Sequence, residues 1–267
     1  MPAPIVLIHG LWMTPLSWEH WSERFGARGH QVLAPAWPGF DAAVPALNAD
    51  PSGVQNLGIA RIVDHYEAII RGLEQPPIIM GHSFGGLFTT ILLDRGLGVA
   101  GVSVDGAPGK GILGLPISTL RSSFPVLGNP LNRGKATALT HDQFHYAFTN
   151  TLNEADSRAA YDRYAVPAAN QVLFEGAAAN FSPKTAAKVD YANDSRAPLL
   201  LLAGGQDHVV PAKTTHAIAK KYAKSGALTQ LKEYPERSHF TVGEPGWEAV
   251  ADHALDWAVQ HAAGRAG

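Results

Sequence analysis

The sequence predicts an α/β protein: a doubly wound, mainly parallel sheet of about six strands flanked by helices, with one helical insertion. Three observations carry this. Short apolar runs rich in Val, Ile and Leu recur along the chain, as strands buried on both faces require. Segments with apolar residues at helical spacing alternate with them, which implies parallel strands joined by helical crossovers. The alternation stops between about Gly106 and Arg196, a stretch far too long for an ordinary loop.

The elements follow in order. Ile5-Val6-Leu7-Ile8 marks the first strand, near 4–8, which ends in His9-Gly10-Leu11-Trp12. Thr14 is placed to cap a helix with Pro15 at its first position; Trp18, Trp21 and Phe25 recur at helical spacing, and Gly29 closes it. A second strand lies near 31–34. Ile62, Tyr66, Ile69 and Leu73 form the apolar face of the next helix. The third strand, near 77–81, leads through Gly81-His82-Ser83-Phe84-Gly85 into a helix that Gly96 ends. The fourth strand lies near 99–104, the fifth near 198–203 and the sixth near 228–234. Pro211 starts a helix running to Gly226, and Trp247, Val250, Ala254, Trp257 and Ala258 face the core from the last helix. Inside the insertion, Thr140-His141-Asp142-Gln143 is a capping box, and Asn153 caps Glu154–Tyr164. Residues 1–108 and 196–267 are thus expected to form one core domain, interrupted by 109–195.

Composition narrows the function. With 267 residues, 46% of them hydrophobic, the chain can bury a large single core. The net charge of −2, with no cluster of Lys and Arg, argues against nucleic acid and anionic membranes as partners. Zero cysteines exclude disulfides, thiolate zinc sites and a cysteine nucleophile, and fit a cytoplasmic location. No apolar run approaches the roughly 18 residues of a membrane span, and the first residues carry no basic region.

The chemistry starts at Ser83. Strand, G-x-S-x-G and helix in succession throw the serine out of a sharp turn, and the flanking glycines remove side chains that would clash there. The N-terminus of a helix also favours the negative charge of an activated nucleophile. Asp207, in Gly204-Gly205-Gln206-Asp207-His208-Val209-Val210-Pro211, and His239, after the last strand, likewise follow C-terminal strand ends, where open α/β sheets form their crevices. Asp105, in Val104-Asp105-Gly106, also follows a strand and competes with Asp207.

These motifs together resemble the α/β-hydrolase superfamily over nearly the whole chain. The resemblance implies that Ser83 is the nucleophile, His239 the base and Asp207 the acid that orients it, with Asp105 as the alternative acid. It implies an oxyanion hole built from the backbone N–H groups of Leu11 and Phe84. It makes the insertion a helical cap over the site. Trp12, Phe144 and Phe148 are then candidates to line an acyl pocket, against packing as core. His9 is expected to brace the oxyanion loop and His82 to pack locally. Beside a carboxylate, His239 should titrate above its ordinary pKa. The superfamily usually opens with an antiparallel hairpin; its expected absence resembles the compact plant esterase and hydroxynitrile-lyase branch.

One motif points elsewhere. His141 and His145 stand at i, i+4 on a helix, as in a zinc site. The residue that should be a Glu base is Asp142, no third ligand stands out, and the capping box already accounts for Asp142 and Gln143, so no metal and no cofactor are expected. The expected function is a carboxylesterase for small, apolar esters, monomeric or homodimeric. The alternatives are a hydroxynitrile lyase, a cofactor-free perhydrolase, or a ligand-binding protein without turnover. Phe240 after the base, where such lyases carry Lys, and Leu11, where they favour a hydroxyl, count against the lyase. Ser83 counts against a dehalogenase, which uses Asp.

Overall fold

The computed structural model describes residues 2–114 and 116–262. In chain order its elements are β1 (Ile5–Ile8), α1 (Glu19–Ala27), β2 (Val32–Leu33), α2 (Val44–Ala49), α3 (Ile59–Arg71), β3 (Ile78–His82), α4 (Phe84–Asp94), β4 (Ala100–Val104), α5 (Ile117–Leu127), β5 (Ala136–Thr137), α6 (His141–Ala147), α7 (Glu154–Tyr164), β6 (Ala168–Ala169), α8 (Asn170–Ala177), β7 (Leu199–Gly204), α9 (Ala212–Tyr222), β8 (Thr229–Tyr234) and α10 (Trp247–Ala262). Six strands form one sheet in the order β2-β1-β3-β4-β7-β8, every neighbour parallel. β1, β3, β4 and β7 are buried along their whole length, which is why their sequences show no polar alternation. The edge strand β8 alternates half-buried and exposed residues. Among the described residues no strand precedes β1, and no helix is long and apolar enough to cross a membrane.

Several local expectations shift. The turn capped by Thr14 is a 3-10 helix over Pro15–Trp18, and α1 begins only at Glu19. The buried face of α3 runs through Ile59, Ile62, Val63, Tyr66 and Ile70, so Ile69 and Leu73 are only half-buried. The stripe at i, i+3, i+4 that starts from Ile59 places Ile70, not Ile69, against the core. α9 ends at Tyr222, short of Gly226. α2 was not anticipated: Ala43 offers no side-chain cap, and Pro at the helix start leaves only propensity to signal it.

The segment between β4 and β7 carries α5–α8 and a two-stranded antiparallel ribbon, β5 with β6. The capping box at Thr140 is complete: its hydroxyl accepts the Gln143 N–H, and the Gln143 side chain accepts the Thr140 N–H. Asn153 caps α7 through the Asp156 N–H. β4 and β7 pair directly across this insertion, so the sheet closes as if it were not there.

Candidate active site

Ser83 sits where β3 becomes α4, with φ 56° and ψ −122°, a region that L side chains rarely adopt. Such strain persists only where the surroundings enforce it. Three glycines do so. A Cβ on Gly81 would lie 2.0 Å from the Gly85 carbonyl oxygen, and one on Gly85 would lie 2.1 Å from that of Ile8. A Cβ on Gly10 would lie 2.8 Å from the Ser83 Cβ. The Ser83 backbone is fixed by its N–H to the Val104 carbonyl and by its carbonyl, which accepts from Gly86 and Ala107.

Asp207 and His239 meet. His239 Nδ1 donates to Asp207 Oδ2 at 2.6 Å, both residues being buried. The other carboxylate oxygen, Oδ1, accepts the backbone N–H groups of Val209 at 2.6 Å and Val210 at 2.8 Å. That geometry leaves Oδ2 for the imidazole. His239 Nε2 has no hydrogen-bond partner among the described residues, so it is free to take a proton.

Burial governs both groups. It pushes the Asp207 carboxyl up to about 8, against the pull of the Val210 and Val209 N–H groups, and pushes His239 down to about 3. The expectation that a neighbouring carboxylate raises His239 is overturned: in a site closed to water, lost solvation of the imidazolium outweighs the pull of Asp207.

Asp105 takes another place. Its Oδ1 accepts the Gly204 N–H at 2.7 Å, and burial, together with the nearby Asp207 charge, drives its carboxyl well above the usual range. His82 Nε2 donates to the His239 carbonyl at 2.8 Å, and burial lowers its pKa well below the ordinary value. His9 accepts the Trp37 N–H at Nε2, donates from Nδ1 to the Gly10 carbonyl, and is pushed down to about 3 by burial. Both are neutral braces around Ser83. Leu11 follows Gly10 directly. Phe84 opens α4, so its N–H is among the first of a helix, which have no intrahelical acceptor.

Of the insertion's aromatic residues, Phe148 reaches the site: its ring lies 5.0 Å from that of His239, edge to face. Phe144 stacks on Phe148 at 4.8 Å and packs against Tyr161. Trp12, at φ 63°, packs edge-on against Phe148 and donates its indole N–H to the Thr137 carbonyl, tying the loop after β1 to the insertion. Glu244 was not legible in the sequence. It is buried and accepts from the Ser238 N–H and hydroxyl and from Thr151, which fixes the loop before His239. A charged residue in a Gly-Glu-Pro-Gly turn reads as exposed, and only the fold turns it inward.

The His141 and His145 rings both turn to the Ser157 hydroxyl, at 3.1 and 2.9 Å, and Thr149 meets the same oxygen at 2.7 Å. One other group, His82, Asp105 and His239, brings ligand atoms within 4.8 Å of one another. A cation held there would engage His239 and remove it as a base. A cavity of about 1080 Å³ lies apart from the triad, between Leu16, Glu19, Phe40, Val44 and Arg163.

Residues 5–253 match the model of the alpha/beta hydrolase family. No curated protein matches the sequence. Solved structures resemble the chain along nearly its full length. An extracellular alpha/beta-hydrolase from a Paenibacillus species is 20% identical, with a TM-score of 0.69, over 96% of this chain and 99% of that one. The monoacylglycerol lipase of Paleococcus ferrophilus is 18% identical, with a TM-score of 0.66, over 98% and 97%. A pyrethroid hydrolase from Sphingobium faniae is 16% identical, with a TM-score of 0.66, over 96% and 97%.

Proposed function

The chain belongs to the alpha/beta hydrolase family, and we propose that it is a serine hydrolase of the carboxylesterase type acting on small, apolar esters. The 2.6 Å contact between His239 and Asp207, together with a serine held at φ 56°, carries this reading. Ser83 Oγ attacks the acyl carbonyl as His239 Nε2 takes its proton. Asp207 keeps the imidazole in the Nδ1–H tautomer and stabilises the imidazolium. The Leu11 and Phe84 N–H groups receive the oxyanion. His239 returns the proton to the leaving alcohol, then activates the water that releases the acid. All of these groups belong to the chain itself, so the cycle draws on no cofactor.

Residues 109–195 act as a cap over the core formed by 1–108 and 196–267. Phe148, with Phe144 stacked on it, and Trp12 form an apolar wall beside the base, so apolar acyl groups gain about 25 cal/mol per Å² buried, while an unpaired charge is penalised.

The test is intact mass after treatment with a fluorophosphonate probe, peptide mapping of the adduct, and a panel of p-nitrophenyl esters of increasing acyl length. One adduct on Ser83, and alcohol release abolished in Ser83→Ala, are expected. An adduct on Ser103 or Ser238, or turnover that survives Ser83→Ala, would overturn the proposal.

A further inference from the structure

The loop that carries Asp207 is held from outside the core. Its backbone carbonyls face the insertion, and side chains of the insertion donate to three of them. The Asn150 amide donates to the Gln206 carbonyl at 3.0 Å, Ser122 Oγ to that of His208 at 3.2 Å, and Thr119 Oγ1 to that of Val209 at 2.9 Å. The contact is returned: His208 Nδ1 donates to the Tyr146 carbonyl at 2.8 Å, and the two rings lie 4.6 Å apart. Thr119 and Ser122 lie three residues apart on α5, so one face of that helix reaches two consecutive carbonyls.

We propose that Thr119, Ser122 and Asn150 are positioning residues for the triad acid. The inference rests on the serine-hydrolase reading above. The peptide between His208 and Val209 connects the two functions. Its carbonyl, on His208, accepts from Ser122, and its N–H, on Val209, donates to Asp207 Oδ1. The next peptide repeats the pattern, with the Val209 carbonyl on Thr119 and the Val210 N–H on Asp207 Oδ1. A peptide group is rigid and planar, so fixing its carbonyl fixes where its N–H points. The two hydroxyls of α5 therefore aim the two N–H groups that engage Oδ1, and this leaves Oδ2 on His239. The insertion sets the geometry of the acid as well as walling the site.

The experiment compares the wild type with Thr119→Val/Ser122→Ala, which removes both donors at nearly constant volume, and with the rescue variant Thr119→Ser. Each is assayed for kcat and KM across pH, for fluorophosphonate labelling of Ser83, and for Tm. The double variant should lose roughly tenfold in kcat with little change in KM, as two neutral hydrogen bonds would give. Its acidic limb should move to higher pH, since the Val209 and Val210 N–H groups that hold the Asp207 carboxyl down lose their aim. Thr119→Ser should keep the wild-type limb. Thr140→Ala removes a cap in the same insertion that touches neither loop, so it should lower Tm without moving the limb. If the double variant does not fold, the single variants should each show about threefold of the kcat loss and a smaller shift of the limb. An unmoved limb and unchanged kcat in folded variants overturn the inference. A wild type that takes no label on Ser83 overturns the reading beneath it instead.

Discussion

At the scale of the residue, two buried aspartates divide the work by what they touch. Asp207 holds His239, whereas Asp105 accepts the Gly204 N–H, its carboxyl pushed well above the usual range. Asn keeps an acceptor oxygen for that N–H. Asp105→Asn should therefore keep most of the activity, while Asp207→Asn should lose about 10⁴ in kcat, the scale of losing an orienting carboxylate. The reverse ranking in steady-state kinetics would reassign the acid. The pH profile belongs to the same pair. Because burial holds the Asp207 carboxyl up to about 8, kcat/KM should rise with pH as Asp207 ionises and can stabilise the imidazolium, through an apparent pKa above 6.5. A rate independent of pH between 5 and 9 would exclude a need for ionised Asp207. Ser83, Asp207 and His239 stood out in the sequence because each is bound to a short motif at a strand end. Glu244, Thr119, Ser122 and Asn150 had no such marker, since ordinary polar residues gain their roles only when the insertion folds back on the core.

At the scale of the element, the strand-to-helix turn tolerates no added atom. Gly85→Ala would drive a methyl group to 2.1 Å from the Ile8 carbonyl oxygen, a rigid backbone atom of β1. The change should cost more than about 3 kcal/mol, in the range of overpacking and backbone strain, and should abolish activity. Urea unfolding measures the cost; a midpoint within error of the wild type would show that the turn relaxes. The sheet was legible for the same reason that it is stable: β1, β3, β4 and β7 are buried on both faces, and such strands are written as unbroken apolar runs. β5 and β6 are two residues long each, too short for any period to register. The rotated face of α3 has a comparable cause, since Ile69 and Ile70 are adjacent and chemically alike, and only packing chooses between them.

At the scale of the whole molecule, the buried histidines around the site tie stability to pH. His9 falls to about 3 and His82 well below its ordinary value, both through burial. In the unfolded chain they titrate near 6.5. Between those values the unfolded chain binds more protons at these two rings than the folded one, so their contribution is full above about pH 6.5 and is lost as pH falls, while the raised Asp207 and Asp105 carboxyls act in the opposite sense. Each histidine contributes a slope of up to about 1.4 kcal/mol per pH unit. Urea unfolding at pH 7.5 and pH 5.0 should therefore show His9→Asn losing less stability toward the lower value than the wild type; parallel changes in the two would mean that the His9 ring is protonated in the folded state.

The pairing of β4 with β7 across the insertion also sets an order in time. Joining these strands closes a loop of roughly ninety residues, and the entropy of that closure grows only slowly with length, so the sheet can assemble while the insertion is still unfolded. The triad cannot, if side chains of the insertion aim the peptides that grip Asp207. A refolding chain should therefore regain its strand signal in far-ultraviolet circular dichroism before it hydrolyses any ester, with catalysis arriving in a later phase that matches the burial of Tyr146 and Trp12. Until that last phase, the exposed nucleophile of a half-made molecule is chemically silent.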